Sequence, residues 1–173
     1  MEWARSAIRE EEIRDKTVLE VGSYNVNGTL KTLLSEFKPL SWTGVDQNAG
    51  PNVDVAIRAE ELVNFFGPNQ FDVVVCTEML EHAEDWRSVV RNLLGMLTPG
   101  GLLILTARGP GMVYHADEEH GYGDYWRFTI EDIVQIFGNT MLEILQQDWE
   151  LPGFFLKTRK PRDLEDIEVM RIS

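Results

Sequence analysis

Apolar runs of strand length alternate along this chain with segments of helical period, and that rhythm restricts it to a sheet covered by helices. The clearest run is Phe71–Cys76 (FDVVVC), continuous and β-branched as a strand buried on both faces requires. Thr17–Val21, Ser41–Val45, Val53–Ile57 and Leu102–Thr106 read as further strands. Helical spacing places Leu30, Leu33, Leu34 and Phe37 on one face, before Pro39, and Trp86, Val89, Val90, Leu93, Leu94 and Leu97 on another. Thr98-Pro99-Gly100-Gly101 reads as the stop of that second helix. A third helix begins at Thr129, whose hydroxyl can cap it with Asp132 three residues on; Ile130, Ile133, Val134 and Phe137 form its apolar face, and Gly138 stops it.

Two closing strands, Leu142–Trp149 and Phe154–Lys157, are joined by the short turn Pro152-Gly153. A link that short forces an antiparallel pair, because a parallel crossover needs about a dozen residues. The expected fold is therefore α/β: a three-layer, doubly wound sheet, mostly parallel, with a terminal antiparallel pair. With 173 residues this is one domain, comprising an N-terminal helix over 1–16, a core over 17–160 and a charged tail over 161–173.

Charge and cysteine usage narrow the partners. Sixteen basic against 29 acidic residues leave a net charge of −13, which argues against general nucleic-acid binding. No apolar stretch approaches the roughly 20 residues that span a bilayer, and the first 16 residues lack the apolar centre of a signal peptide. The single cysteine, Cys76, lies in an apolar run and reads as an inert core residue. A cytoplasmic setting is expected, with the oligomeric state left open.

In open α/β sheets, ligands bind beyond the carboxyl ends of the strands. The first strand ends in Glu20-Val21-Gly22-Ser23-Tyr24-Asn25-Val26-Asn27-Gly28, a glycine turn leading into a helix. The dinucleotide fingerprint G-x-G-x-x-G is missing, since Tyr24 holds its second glycine position. Asp46 ends the second strand, where an acid can accept both hydroxyls of a ribose.

Five segments in order resemble the class I S-adenosylmethionine-dependent methyltransferases. They are Glu20-x-Gly22, Asp46, Phe71-Asp72-Val73-Val74-Val75, Glu78-Met79-Leu80-Glu81-His82 and Pro99-Gly100-Gly101-Leu102-Leu103. The resemblance covers about residues 17–160 and implies a Rossmann-like fold, S-adenosyl-L-methionine as cofactor and S-adenosyl-L-homocysteine as product. It implies that Glu20, Gly22, Ser23, Tyr24, Asn27 and Gly28 pass under the methionine moiety and ribose, and that Asp46 holds the ribose hydroxyls. Gln47, Ala59 and Glu60 would lie at the adenine, Thr77, Glu78 and Met79 would border the cofactor, and His82 would lie near the floor of the site. Two departures stand out: the usual glycine run is reduced to Gly22 with a later Gly28, and Arg58 stands where many members place an aspartate.

The stretch Arg108–Phe128 breaks the rhythm with glycines and aromatics, and its Asp124–Thr129 part resembles a segment of some of these methyltransferases. Long loops in compact domains are usually functional. His115 and His120 are the candidate general bases. Tyr122, Asp124, Tyr125, Trp126 and Arg127 are the candidate acceptor contacts, and the loop is expected to serve the acceptor rather than the cofactor. No metal is expected: histidine suits magnesium poorly and the spacing of zinc ligands is absent. The function implied is methyl transfer to a nucleophile, a hydroxyl first, of a small-molecule acceptor. The alternatives are a member of the fold that binds cofactor without catalysis, or an NAD-dependent oxidoreductase.

Overall fold

The protein is described from a computed structural model that covers residues 2–25, 28–138 and 142–162. Seven strands form one sheet: β1 (Thr17–Val21), β2 (Ser41–Asp46), β3 (Val55–Ala56), β4 (Phe71–Thr77), β5 (Leu97–Arg108), β6 (Leu142–Asp148) and β7 (Gly153–Arg159). Their order is β3-β2-β1-β4-β5-β7-β6. Every pair from β3 to β5 is parallel, and β7 runs antiparallel to both β5 and β6. This is the expected α/β architecture.

The sheet is buried on both faces because its central strands are apolar at successive positions. Leu19, Val21, Val74, Cys76, Leu103 and Leu105 face one core, shared with the helices α4 (Leu62–Phe66), α5 (Trp86–Met96) and α6 (Ile130–Phe137). Val18, Val73, Val75, Leu102 and Ile104 face the other, shared with α1 (Glu2–Ala7), α2 (Glu10–Ile13) and α3 (Leu30–Leu34). Within α5, Val89, Val90 and Leu93 are wholly buried, each stabilising the fold by about 1.5–3 kcal/mol. Asp85 caps that helix by accepting from the Ser88 N–H at 3.1 Å, and Thr129 and Asp132 form the expected capping box on α6. Cys76 is buried, and burial raises its thiol pKa well above the usual range, as an inert core residue requires.

Several boundaries differ from the sequence reading. The segment expected as one N-terminal helix is two short ones. The buried stripe of the next helix is Leu30, Leu34 and Phe37, while Leu33 lies at its edge, 37% exposed. On α6, Ile136 is buried and Val134 only half so. The helix α4 has no counterpart in that reading. Thr98–Gly101 does not simply stop a helix: β5 already begins at Leu97. The pairing passes from Phe71↔Leu97 to Val73↔Leu102, so β5 advances five residues while β4 advances two. The excess forms a bulge, and a Cβ on Gly101 would fall 2.8 Å from the Thr98 carbonyl oxygen. Most of the tail expected over 161–173 lies outside the described residues.

Candidate functional site

A cavity of about 490 Å³ opens beyond the carboxyl ends of β1, β2, β4 and β5, within the range of small-molecule sites. It forms where the strand order reverses between β1 and β4, so the connections leave the sheet in opposite directions. A smaller recess beside it is bordered by Asp46, Gln47, Ala59 and Glu60.

Gly22 follows β1 with φ +78, a conformation open to glycine and strained for other residues. A Cβ there would stand 2.9 Å from the Cβ and Cγ of Met79, so the cavity floor needs a residue without a side chain. Next to it Ser23 is buried, and its Oγ has no hydrogen-bond partner among the described residues. Glu20 also borders the cavity, but its carboxylate is engaged within the fold. It accepts from the Thr29 hydroxyl at 3.0 Å, the Leu30 N–H at 3.2 Å and the Trp42 indole at 2.9 Å. Burial raises its pKa against those bonds. Gly28 lines the cavity, whereas Asn27 lies outside the described residues.

Asp46 is 6% exposed at the end of β2. Its Oδ1 accepts from the Asn48 N–H at 2.9 Å and the Tyr122 hydroxyl at 2.7 Å, and its Oδ2 from the Tyr24 N–H at 3.3 Å. Glu60 pairs with Arg58 at 3.0 Å, so the arginine at the unusual position is tied to the neighbouring acid.

Thr77, Glu78, Met79 and His82 border the cavity after β4. Glu78 has φ +55, which is strained for a long side chain. Bonds to the end of β5 hold it: its N–H donates to the Thr106 carbonyl, the Thr106 hydroxyl donates to its Oε1 at 2.6 Å, and Arg108 pairs with its Oε2. Glu81 is wholly buried one turn on, and neither of its carboxylate oxygens has a hydrogen-bond partner among the described residues. Burial raises its carboxyl pKa to about 8, helped by the negative charge of Glu78. Burial also lowers the pKa of His82, which favours the neutral imidazole.

The long loop is divided in its contributions. His115 and Tyr122 face the cavity, as do Met112 and Asp117, which the sequence reading did not select. His120 does not border it; its Nδ1 lies 2.8 Å from Asp117, and its ring lies against Tyr24. Asp124, Tyr125, Trp126 and Arg127 also stand away from the cavity wall. Arg127 pairs with Asp124 and donates to the Val113 carbonyl, while the Trp126 indole donates to the Ala83 carbonyl at 2.9 Å. The Arg127 bond lowers the Asp124 pKa to about 2. Asp124, Trp126 and Arg127 shape the loop from behind, while Tyr125 is 52% exposed. Arg108 and Glu81 were missed as site residues, although the spacing Glu78-x-x-Glu81-His82 at a strand end was a signal for the second.

The loop also touches the wall assigned to the cofactor, against expectation. Besides the Tyr122 bond to Asp46, Asn48 donates to the His120 carbonyl at 2.8 Å and Gln47 to the Gly121 carbonyl at 3.3 Å.

Residues 3–147 match the family model described as a methyltransferase domain. The ubiquinone biosynthesis O-methyltransferase of Pseudomonas paraeruginosa is 36% identical over 105 residues, covering 53% of this chain and 44% of that protein. The chain thus matches less than half the length of this relative. Among solved structures, the Burkholderia thailandensis 1,6-didemethyltoxoflavin-N1-methyltransferase, crystallised with 1,6-didemethyltoxoflavin and S-adenosylhomocysteine, superposes with a TM-score of 0.70. It is 18% identical, over 91% of this chain and 76% of that one. An S-adenosylmethionine-dependent methyltransferase from Mesorhizobium loti gives 0.67 at 14% identity, over 92% and 97%. At such identities the likeness is one of fold.

Proposed function

The chain belongs to the class I S-adenosylmethionine-dependent methyltransferases, and from that membership we propose that it transfers a methyl group to a hydroxyl of a small-molecule acceptor. The observation that carries the reading is that Gly22 and Asp46, at the neighbouring ends of β1 and β2, line one cavity. The glycine lets the turn after β1 pass close against Met79 at the cavity, and the Asp46 carboxylate would receive the ribose hydroxyls. The buried, unpartnered Ser23 Oγ adds a polar group able to face the same ligand. These residues fit the family's cofactor. Gly22, Ser23 and Asp46 would hold it, with its adenine toward the recess at Gln47, Ala59 and Glu60.

When bound, S-adenosylmethionine supplies a methyl carbon made electrophilic by the sulfonium. The protein's task is then to align the acceptor oxygen behind that carbon, and alignment alone contributes roughly 7–11 kcal/mol. His82, His115, Met112 and Arg108 form the wall that an acceptor would meet. Tyr122 borders the same cavity and is held there by its bond to Asp46. The preference for a hydroxyl rests on this wall of imidazoles and on the O-methyltransferase relatives.

Titration calorimetry with S-adenosylmethionine, S-adenosylhomocysteine and NAD tests the cofactor reading: micromolar binding of the first two, about −8 kcal/mol, is expected. Binding of NAD alone would overturn it. Transfer of labelled methyl to phenols and alcohols, set against amines, tests the acceptor. Transfer to amines only would remove the hydroxyl assignment.

A further inference from the structure

We propose that Glu81, His82 and His115 form a binding site for one divalent transition-metal ion, such as zinc or manganese, with an open position toward the cavity. One ligand atom from each of the three lies within 4.8 Å of the others. The second observation is the carboxylate itself: Glu81 is 0% exposed and both its oxygens lack a hydrogen-bond partner among the described residues. An uncompensated buried carboxylate is costly, and buried charges are normally paired or coordinate metals.

The two imidazoles are prepared for the same task. His82 Nδ1 meets the Gly123 carbonyl, and His115 Nδ1 lies 3.0 Å from the Val113 carbonyl. A carbonyl only accepts, so each Nδ1 carries the proton and each Nε2 keeps its lone pair. Metal-ligating histidines are oriented in this way, with the second ring nitrogen donating to a carbonyl or carboxylate. Beyond His115, the Asp124 Oδ2 lies 3.3 Å from Nδ1 and Arg127 holds that carboxylate in place. His115 Nε2 stands 3.9 Å from Glu81 Oε1. Bonds of about 2.0–2.2 Å to an ion would draw the three groups together by roughly 1 Å.

The ligand set selects the ion. Two imidazoles and one carboxylate suit zinc, manganese or cobalt, whereas magnesium prefers oxygen and retains water. Three protein ligands leave at least one position open, and both histidines border the cavity. The ion would take the acceptor's oxygen there and fix its direction. That role rests on the methyl-transfer reading; the ion site does not. The sequence reading missed the set because His82 and His115 are 33 positions apart and meet only when β4 and the loop after β5 come together.

The test is a titration of chelator-treated full chain with cobalt, followed by visible absorption, with zinc and magnesium competing. One cobalt per chain is expected, displaced by zinc and not by magnesium. His115→Ala and Glu81→Gln should each weaken binding at least tenfold, with melting curves as the folding control. Should Glu81→Gln not fold, His115→Ala carries the test, since His115 sits on the loop. Failure of the folded wild type to bind cobalt, or unchanged binding in a folded His82→Ala/His115→Ala variant, overturns the site. A parallel titration with S-adenosylhomocysteine separates the two proposals. Cofactor binding without metal binding sinks only this one, and metal binding without cofactor binding sinks only the methyl-transfer reading.

Discussion

The hydroxyl of Tyr122 donates a 2.7 Å hydrogen bond to Oδ1 of Asp46, a residue 76 positions earlier in the chain. Loop and strand end thereby share the carboxylate that would receive a ribose. Burial, with the Asp46 charge beside it, raises the phenol pKa, so the tyrosine remains a donor throughout the physiological range. A ligand with hydroxyls at this place must compete with Tyr122 or share Asp46 with it.

Competition makes a directional prediction. Tyr122→Phe keeps the ring and removes the competing donor. S-adenosylhomocysteine should bind more tightly, by about 0.5–1.5 kcal/mol, the net worth of one hydrogen bond. Calorimetry checks it, and weaker binding would make the hydroxyl a ligand contact.

Asp46→Ala should act in the opposite sense and weaken S-adenosylhomocysteine binding by roughly 1.5–3 kcal/mol, because two ribose hydroxyls lose a charged acceptor. The melting temperature should fall as well, because the Tyr24 and Asn48 N–H groups and the Tyr122 hydroxyl lose their acceptor, so affinity is to be measured on variant shown to be folded. Unchanged affinity in the same titration would remove Asp46 from the site.

Gly22→Val should abolish measurable binding. The left-handed φ of +78 strains any side chain, and the new Cβ would meet Met79 at 2.9 Å. Some loss of thermal stability accompanies the change, so binding is to be measured on variant shown to be folded by circular dichroism.

Hydrogen exchange should report on the loop without any acceptor. Because Gln47, Asn48 and Asp46 all bond to residues 120–122, cofactor binding should change protection over 116–124 as well as over 20–28. A response confined to 20–28 would show the loop to be uncoupled from the cofactor.

The last prediction concerns acid stability, far from the cavity. Glu12 is a buried residue of α2 and accepts from Lys157 at 2.7 Å and from Arg159 at 2.6 Å, tying the start of the chain to β7. Burial pushes its pKa up, but the Arg9 N–H and Lys157 outweigh it, and the pKa ends below its usual value. A lowered carboxylate pKa stabilises the fold above the unfolded value of about 4.3, and the contribution disappears as pH falls through the folded value. Glu12→Gln should therefore lower stability at pH 7 by about 3 kcal/mol by leaving the buried Lys157 without its nearest carboxylate. Chemical denaturation from pH 7 to pH 3 should find the gap between wild type and variant closing below about pH 4.

Periodicity exposed what repeats and hid what does not. FDVVVC announced β4 because a strand covered on both faces has no polar alternation to obscure it. The five-residue α4 escaped notice because LVNFF is too short to show a helical period. The bulge at Pro99–Gly101 could not be separated from a helix stop, since glycine and proline mark both. In the site, Gly22 and Asp46 were legible because each closes a strand. The division of the loop was not: whether Trp126 faces a ligand or the Ala83 carbonyl depends on contacts 43 positions apart in the chain. Glu81 was visible as a letter in a motif, but its lack of partners belongs to the folded protein alone.

The place of β7 governs the order in which this molecule can assemble. It lies between β5 and β6, so β6 has no neighbour on the sheet until the strand after it arrives. During synthesis the edge of β5 therefore stays open until residue 159 has left the ribosome, and an open edge can pair with another nascent chain. The same strand brings Lys157 to Glu12, so its arrival also secures the N-terminal helices. Among the described strands, the one made after all the others is the one that joins β6 to the sheet.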